Sequence, residues 1–131
     1  MSSTVRPLSP HLQVYRWQIQ MVTSILHRAT GIVLALGSLL VAAALVALAS
    51  GPEAWAKVVA LATSWYGLIV LVGWTWCLAY HWLNGIRHLL QDAGLGYSIE
   101  RFVANSWISV IGSLVLTAIV WFVIYAHGGL A

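Results

Sequence analysis

Long apolar runs separated by short polar breaks govern the pattern of this chain. Residues 31–49 carry no formal charge, and a helix rising about 1.5 Å per residue over that run crosses most of a ~30 Å hydrocarbon core. The helix is expected to start earlier, near Met21, so that Ser24, His27 and Arg28 fall in its first turns. Ser50-Gly51-Pro52-Glu53 breaks it, Gly94-Leu95-Gly96-Tyr97 ends a second run, and Gly128-Gly129 follows a third. The pattern predicts an all-α integral membrane protein with three transmembrane helices, over about 22–49, 58–90 and 104–126, as one domain from 1 to 131. No repeat relates the three spans. Residues 1–20, with Pro7 and Pro10 three apart, read as an extended arm on the inner interface. They lack the apolar core of a signal peptide, so no removal is expected.

Composition agrees with this class. The chain is 61% hydrophobic and 7% charged, against about 25% charged in an average soluble domain. So few polar groups do not cover a water-facing surface, and lipid is the implied solvent. Eight tryptophans suit the headgroup interface. Cys77, the single cysteine, has no internal disulfide partner and reads as a small buried hydrophobe.

Charge placement gives an orientation. Arg6, Arg16 and Arg28 precede the first span and Arg87 and Arg101 flank the second connection, leaving only Lys57 in the other loop. Five of six cations therefore share one side, which the positive-inside rule assigns to the cytoplasm or matrix. The N-terminus is expected inside and the C-terminus outside. The net charge of +3 is dispersed along membrane edges, so no nucleic-acid partner is expected.

Two polar segments then meet at the inner edge: Ser24-Ile25-Leu26-His27-Arg28, and His81-Trp82-Leu83-Asn84-Gly85-Ile86-Arg87-His88. Ionisable groups near hydrocarbon are costly, which makes such a cluster a functional candidate. His81 and His88 share a helix face about 10.5 Å apart along the axis, too far to grip one haem iron from both sides. His81 lies about 9 Å inward of Arg87 and is the better candidate for an axial ligand, with its second ring nitrogen needing an acceptor. On spacing alone the commoner role for it is a hydrogen bond between helices. Gly85 would let a flat macrocycle approach, and Asn84 would add a polar contact. Arg87 and His88 read either as membrane-edge anchors reaching for headgroups or as partners of haem propionates. Ser24 and Arg28, four apart on one face, form a donor pair suited to a quinone carbonyl, or simply an anchoring first turn. Asp92 is a candidate proton relay, though a solvated interfacial carboxylate is the commoner state.

At these residues the chain resembles the cytochrome b membrane-anchor subunit of succinate dehydrogenase, respiratory complex II. The match lies in Arg6-Pro7-Leu8-Ser9-Pro10-His11-Leu12-Gln13-Val14-Tyr15, in Ser24 through Gly31, and in Ala79-Tyr80-His81 through Gly85-Ile86-Arg87-His88-Leu89-Leu90-Gln91-Asp92-Ala93-Gly94. The resemblance implies half of a heterodimeric helix bundle that holds one haem b, each anchor subunit donating a histidine. It implies His81 as the axial iron ligand, His27, Arg28 and His88 around the haem, and Ser24 and Arg28 at a ubiquinone site. The implied partners are a second anchor subunit, an iron–sulfur subunit and a flavoprotein that oxidises succinate, so this chain is an enzyme subunit without the succinate site. The expected location is a bacterial inner membrane in preference to a mitochondrial one. Two alternatives stand beside this reading: the anchor of a quinol:fumarate reductase, and a non-enzymatic structural or assembly membrane protein.

Overall fold

The computed structural model describes His11 and residues 16–129, and all regular structure within them is helical. The elements are α1 (Ile19–Ser50), α2 (Pro52–Ala62), α3 (Trp65–Asp92) and α4 (Ile99–Ala126). The arm expected over 1–20 falls mostly outside the described residues. Helices α1, α3 and α4 are long and apolar enough to cross a membrane. At 32, 28 and 28 residues they extend about 48, 42 and 42 Å. Each is longer than the hydrocarbon core is thick, so its terminal turns reach the headgroup region.

The sequence pattern joined Val58 to the second span, and here the structure differs. Val58–Ala62 closes the short helix α2, and α3 begins only at Trp65. Gly51, at φ +119°, and Pro52 at the first turn of α2 separate it from α1. Ser64 then caps α3, its Oγ accepting from the Gly67 N–H at 3.1 Å. Gly67 is required at this corner, because a Cβ there would overlap the carbonyls of Leu61 and Ala62. Hydropathy does not register such a corner, since every residue around it except Thr63 and Ser64 is apolar or glycine. The end of α3 follows the expected rule: Gly94 adopts φ +80° and the Leu95 N–H bonds the Leu90 carbonyl.

Helix α3 is central and packs on both α1 and α4. Its interior reverses that of a water-soluble protein. The only buried apolar side chains among the described residues are Cys77, Ala79 and Tyr80, while Thr23, Thr30, Asn84, Arg87, Gln91, Ser106, Ser109, Ser113 and Thr117 are all buried. Leucines and isoleucines face outward, where lipid replaces water. Small hydroxylated residues let helices approach closely and return their protons to helix carbonyls, as Ser109 does to Asn105 and Thr117 to Ser113. Long polar contacts join the helices: Trp76 Nε1 donates to Ser113 Oγ at 3.1 Å, and Tyr80 Oη donates to the Thr23 carbonyl at 3.0 Å. Trp74 packs against Gly37, where a Cβ would clash with the indole.

Candidate functional site

Helices α1 and α3 run antiparallel, so Gly37 faces Trp74 while Gly31, earlier in α1, faces His81, later in α3. The first turns of α1 therefore lie beside the last turns of α3, and the two polar segments form one cluster. His27 from α1 sits between His81 and His88 from α3. Its ring stacks on His81 with centroids 4.0 Å apart and planes 10° apart, and it lies 5.0 Å from His88 at 52°. Among the described residues no group of three His, Cys, Asp or Glu side chains is arranged to hold a bare metal ion. These imidazoles stack rather than converge.

The hydrogen bonds of His81 assign its tautomer. Nδ1 lies 3.1 Å from the His27 carbonyl oxygen and 3.3 Å from Thr30 Oγ1. A carbonyl only accepts, so the proton must be on Nδ1. Nε2 keeps its lone pair and has no hydrogen-bond partner among the described residues. That is the state in which a histidine binds a metal through Nε2 while its other nitrogen is held by an acceptor. The donor set thus fits an axial haem ligand at His81. Gly85, which sequence reasoning left open for a macrocycle, instead faces His27, whose Cε1 is 4.0 Å from where a Cβ would stand.

Arg87 does not reach outward to headgroups. It is 5% exposed, its Nη1 donates to Ser106 Oγ at 2.8 Å, and its guanidinium lies 5.3 Å from the centre of the Phe102 ring. Its Nε is buried without a partner. Asn84 is fully buried; its Nδ2 is 3.4 Å from His88 Nε2, and its Oδ1 has no partner. His27 Nδ1 is likewise buried and unpaired. The only ion pair among the described residues is the exposed Lys57–Glu53 contact in α2. Among the described residues neither Arg28 nor Arg87, nor His88 beside them, makes an ion pair with a protein carboxylate, and the acidic side chain next along α3 is Asp92, one turn beyond His88.

A cleft of about 420 Å³ opens here, lined by Gln20, Met21, Ser24, Ile25, Arg28, Arg87, His88 and Phe102. Its walls are mainly apolar with a few donors, the usual make-up of a small-molecule site. Arg28 Nε reaches the Ser24 backbone carbonyl at 3.4 Å, so Arg28 and Ser24 are neighbours through the main chain. The Ser24 hydroxyl has no hydrogen-bond partner among the described residues. The structure thus brings Ser24, His27, Arg28, His81, Arg87 and His88 to one end of the bundle. Asp92 is exposed at the last position of α3.

Several residues of the site escaped sequence reasoning. Ser106 and Phe102 come from α4, whose sequence is generic for a span. Thr30 and Gly31 lay inside the recognised segment without an assigned role. Ser106 starts the buried stripe Ser106, Ser109, Ser113 and Thr117, and that near-helical spacing of hydroxyls in an apolar span was the available signal.

The family model described as succinate dehydrogenase/fumarate reductase transmembrane subunit matches residues 2–121. The succinate dehydrogenase cytochrome b556 subunit of Paracoccus denitrificans is 47% identical over 121 residues, covering 90% of this chain and 93% of the relative. The protein of the same description from Rickettsia prowazekii is 38% identical over 116 residues, covering 88% and 90%. The mitochondrial succinate dehydrogenase cytochrome b560 subunit of Mus musculus is 37% identical over 135 aligned positions, covering 99% of this chain and 72% of the relative.

Proposed function

The chain belongs to the succinate dehydrogenase/fumarate reductase transmembrane-subunit family and is a membrane-anchor cytochrome b of complex II; within that role, we propose that His81 ligates haem b and that the cleft at Ser24 and Arg28 receives ubiquinone. The observation that supports this most is the cleft that two arginines and a histidine line together. Arg28, Arg87 and His88 line it, and among the described residues none of them is in an ion pair with a protein carboxylate. Such a surface calls for an anionic or electron-rich ligand, and both haem propionates and a quinone carbonyl meet that demand.

Each residue has a definite task in this reading. His81 presents Nε2 to the iron while the His27 carbonyl holds Nδ1–H. When bound, haem would supply a one-electron store. His27, Arg28 and His88 would hold its propionates. Arg28 and the Ser24 hydroxyl donate to a quinone carbonyl, drawing electron density toward the oxygen that is to be protonated. Arg87, fixed by Ser106 and Phe102, adds fixed positive potential to the same wall. Reduction of a quinone consumes two electrons and two protons, and the opening of the cleft beside Arg28 gives protons a path from the interface.

The electrons originate at a flavin and pass through an iron–sulfur partner, so succinate oxidation takes place on other chains. A second anchor subunit would supply the other side chain that holds the haem. The chain spans the inner membrane of a bacterium with its N-terminus inside. Relatives named as succinate dehydrogenase subunits favour succinate oxidation over fumarate reduction as the working direction, and family membership takes the place of the purely structural alternative.

The test uses the purified complex carrying Arg28→Ala or Ser24→Ala. Losing one donor contact to the quinone costs about 1–3 kcal/mol, or roughly five- to 150-fold in kcat/KM for ubiquinone. Succinate oxidation by an artificial soluble acceptor should stay at the wild-type rate. Unchanged ubiquinone kinetics in both fully assembled variants would place the quinone elsewhere.

A further inference from the structure

A histidine that carries iron must hold one tautomer and one ring orientation, and in this chain Thr30 and Gly31 contact His81 beside the His27 carbonyl that already receives its Nδ1–H. Thr30 is buried, at 3% exposure, in the middle of α1. Its hydroxyl lies 2.8 Å from the Leu26 carbonyl and 3.0 Å from the His27 carbonyl, so its single proton is committed to the helix backbone. The lone pair that remains faces His81 Nδ1 at 3.3 Å, beside the His27 carbonyl at 3.1 Å. The Nδ1–H is therefore shared between two acceptors, both delivered by one turn of α1. The next residue, Gly31, sets the approach. A Cβ at Gly31 would stand 3.0 Å from His81 Cε1, closer than ordinary contact, and 3.5 Å from Nδ1, so a side chain there displaces the ring by a few tenths of an ångström.

We propose that Thr30 and Gly31 are positioning residues for His81: Thr30 as a second acceptor for Nδ1–H that makes the imidazole a more electron-rich ligand, Gly31 as the gap that sets the ring's angle. This rests on the reading of His81 as the haem ligand. Its consequence is a redox one. An acceptor on the far nitrogen raises ligand basicity and favours ferric over ferrous iron. Removing the Thr30 hydroxyl therefore favours the reduced haem and raises the midpoint potential.

The experiment uses the intact complex in detergent with Thr30→Val, Thr30→Ser, Gly31→Ala and His81→Ala variants. Haem content, the redox-titrated visible spectrum and the low-temperature EPR spectrum of the oxidised haem are recorded for each. Thr30→Val keeps the shape and loses the acceptor; at a fixed poise its ratio of ferrous to ferric haem should rise about fivefold, the scale of one modest hydrogen bond. Thr30→Ser keeps the hydroxyl and should restore the wild-type potential, which a purely packing role would not do. Gly31→Ala improves helix propensity, so it serves where Thr30→Val assembles poorly; it should shift the EPR g-values of a fully assembled complex. Wild-type potential in Thr30→Val, or wild-type g-values in Gly31→Ala, overturns the positioning role. His81→Ala separates this from the ligand reading. An unaltered low-spin spectrum in that variant removes His81 as ligand, whereas a lost or altered one with silent Thr30 and Gly31 variants refutes only the positioning role.

Discussion

Ser106→Ala removes the hydrogen-bond acceptor that, among the described residues, holds Arg87 inside the bundle. Arg87 Nη1 donates to Ser106 Oγ at 2.8 Å; Ser106 is wholly inaccessible and Arg87 is 5% exposed. Water therefore does not simply replace the lost partner. Arg87 Nε is already buried and unpaired, which leaves the Phe102 ring as the chief remaining stabiliser on that side. The other bond of Ser106, its donation to the Phe102 carbonyl at 2.8 Å, is a local back-bond and contributes little to helix stability. Hydrogen bonds between membrane helices average only about 0.6 kcal/mol, but bonds to a charged partner are worth about 1.5–3 kcal/mol. The buried charge puts Ser106→Ala in the second class, at about 2 kcal/mol. The assay is a double-mutant cycle on the purified complex, with SDS titration followed by circular dichroism and haem absorbance. Ser106→Ala should be costly with Arg87 present and nearly neutral in the Arg87→Met background, where no guanidinium is left unpaired. An equal cost in both backgrounds would show that Ser106 acts through α4 alone and that Arg87 is not held as described.

Further expectations follow from particular contacts. Gly37→Ala should destabilise by about 1–3 kcal/mol through overpacking against Trp74, despite the better helix propensity of alanine, and Trp74→Phe should relieve part of that cost in the same titration. His88→Ala should leave haem ligation intact and disturb the Asn84 side of the site, read as an unaltered low-spin spectrum with a changed midpoint potential. A cysteine at Glu53, introduced with Cys77→Ser, should react with an impermeant maleimide from outside intact cells. Labelling only after the cytoplasmic face is opened would invert the proposed orientation.

The class and rough helical content of this protein are written in its hydropathy. A bilayer admits few alternatives: with no water to pair the backbone, an apolar run of sufficient length has to be helical. The pairing of the two polar segments was also legible, because antiparallel neighbouring spans bring the start of one beside the end of the next. The corner at Thr63–Ser64 was not legible from hydropathy, since it depends on an Ser64 cap and on the missing Cβ of Gly67 amid apolar residues. Arg87 shows the limit most clearly. From sequence it stands at a membrane edge with the freedom to reach headgroups; its inward course is decided by Ser106 and Phe102, nineteen and fifteen residues away on α4. The same holds for His81. Sequence marked it as needing an acceptor on one nitrogen, but which acceptor depends on how α1 and α3 pack, and the absence of a side chain at Gly31 lets the His27 carbonyl and Thr30 hydroxyl reach it. Periodicity assigns residues to helices and faces; only the contact between helices assigns each buried polar atom its partner, because in an interior without water that partner must come from another part of the chain.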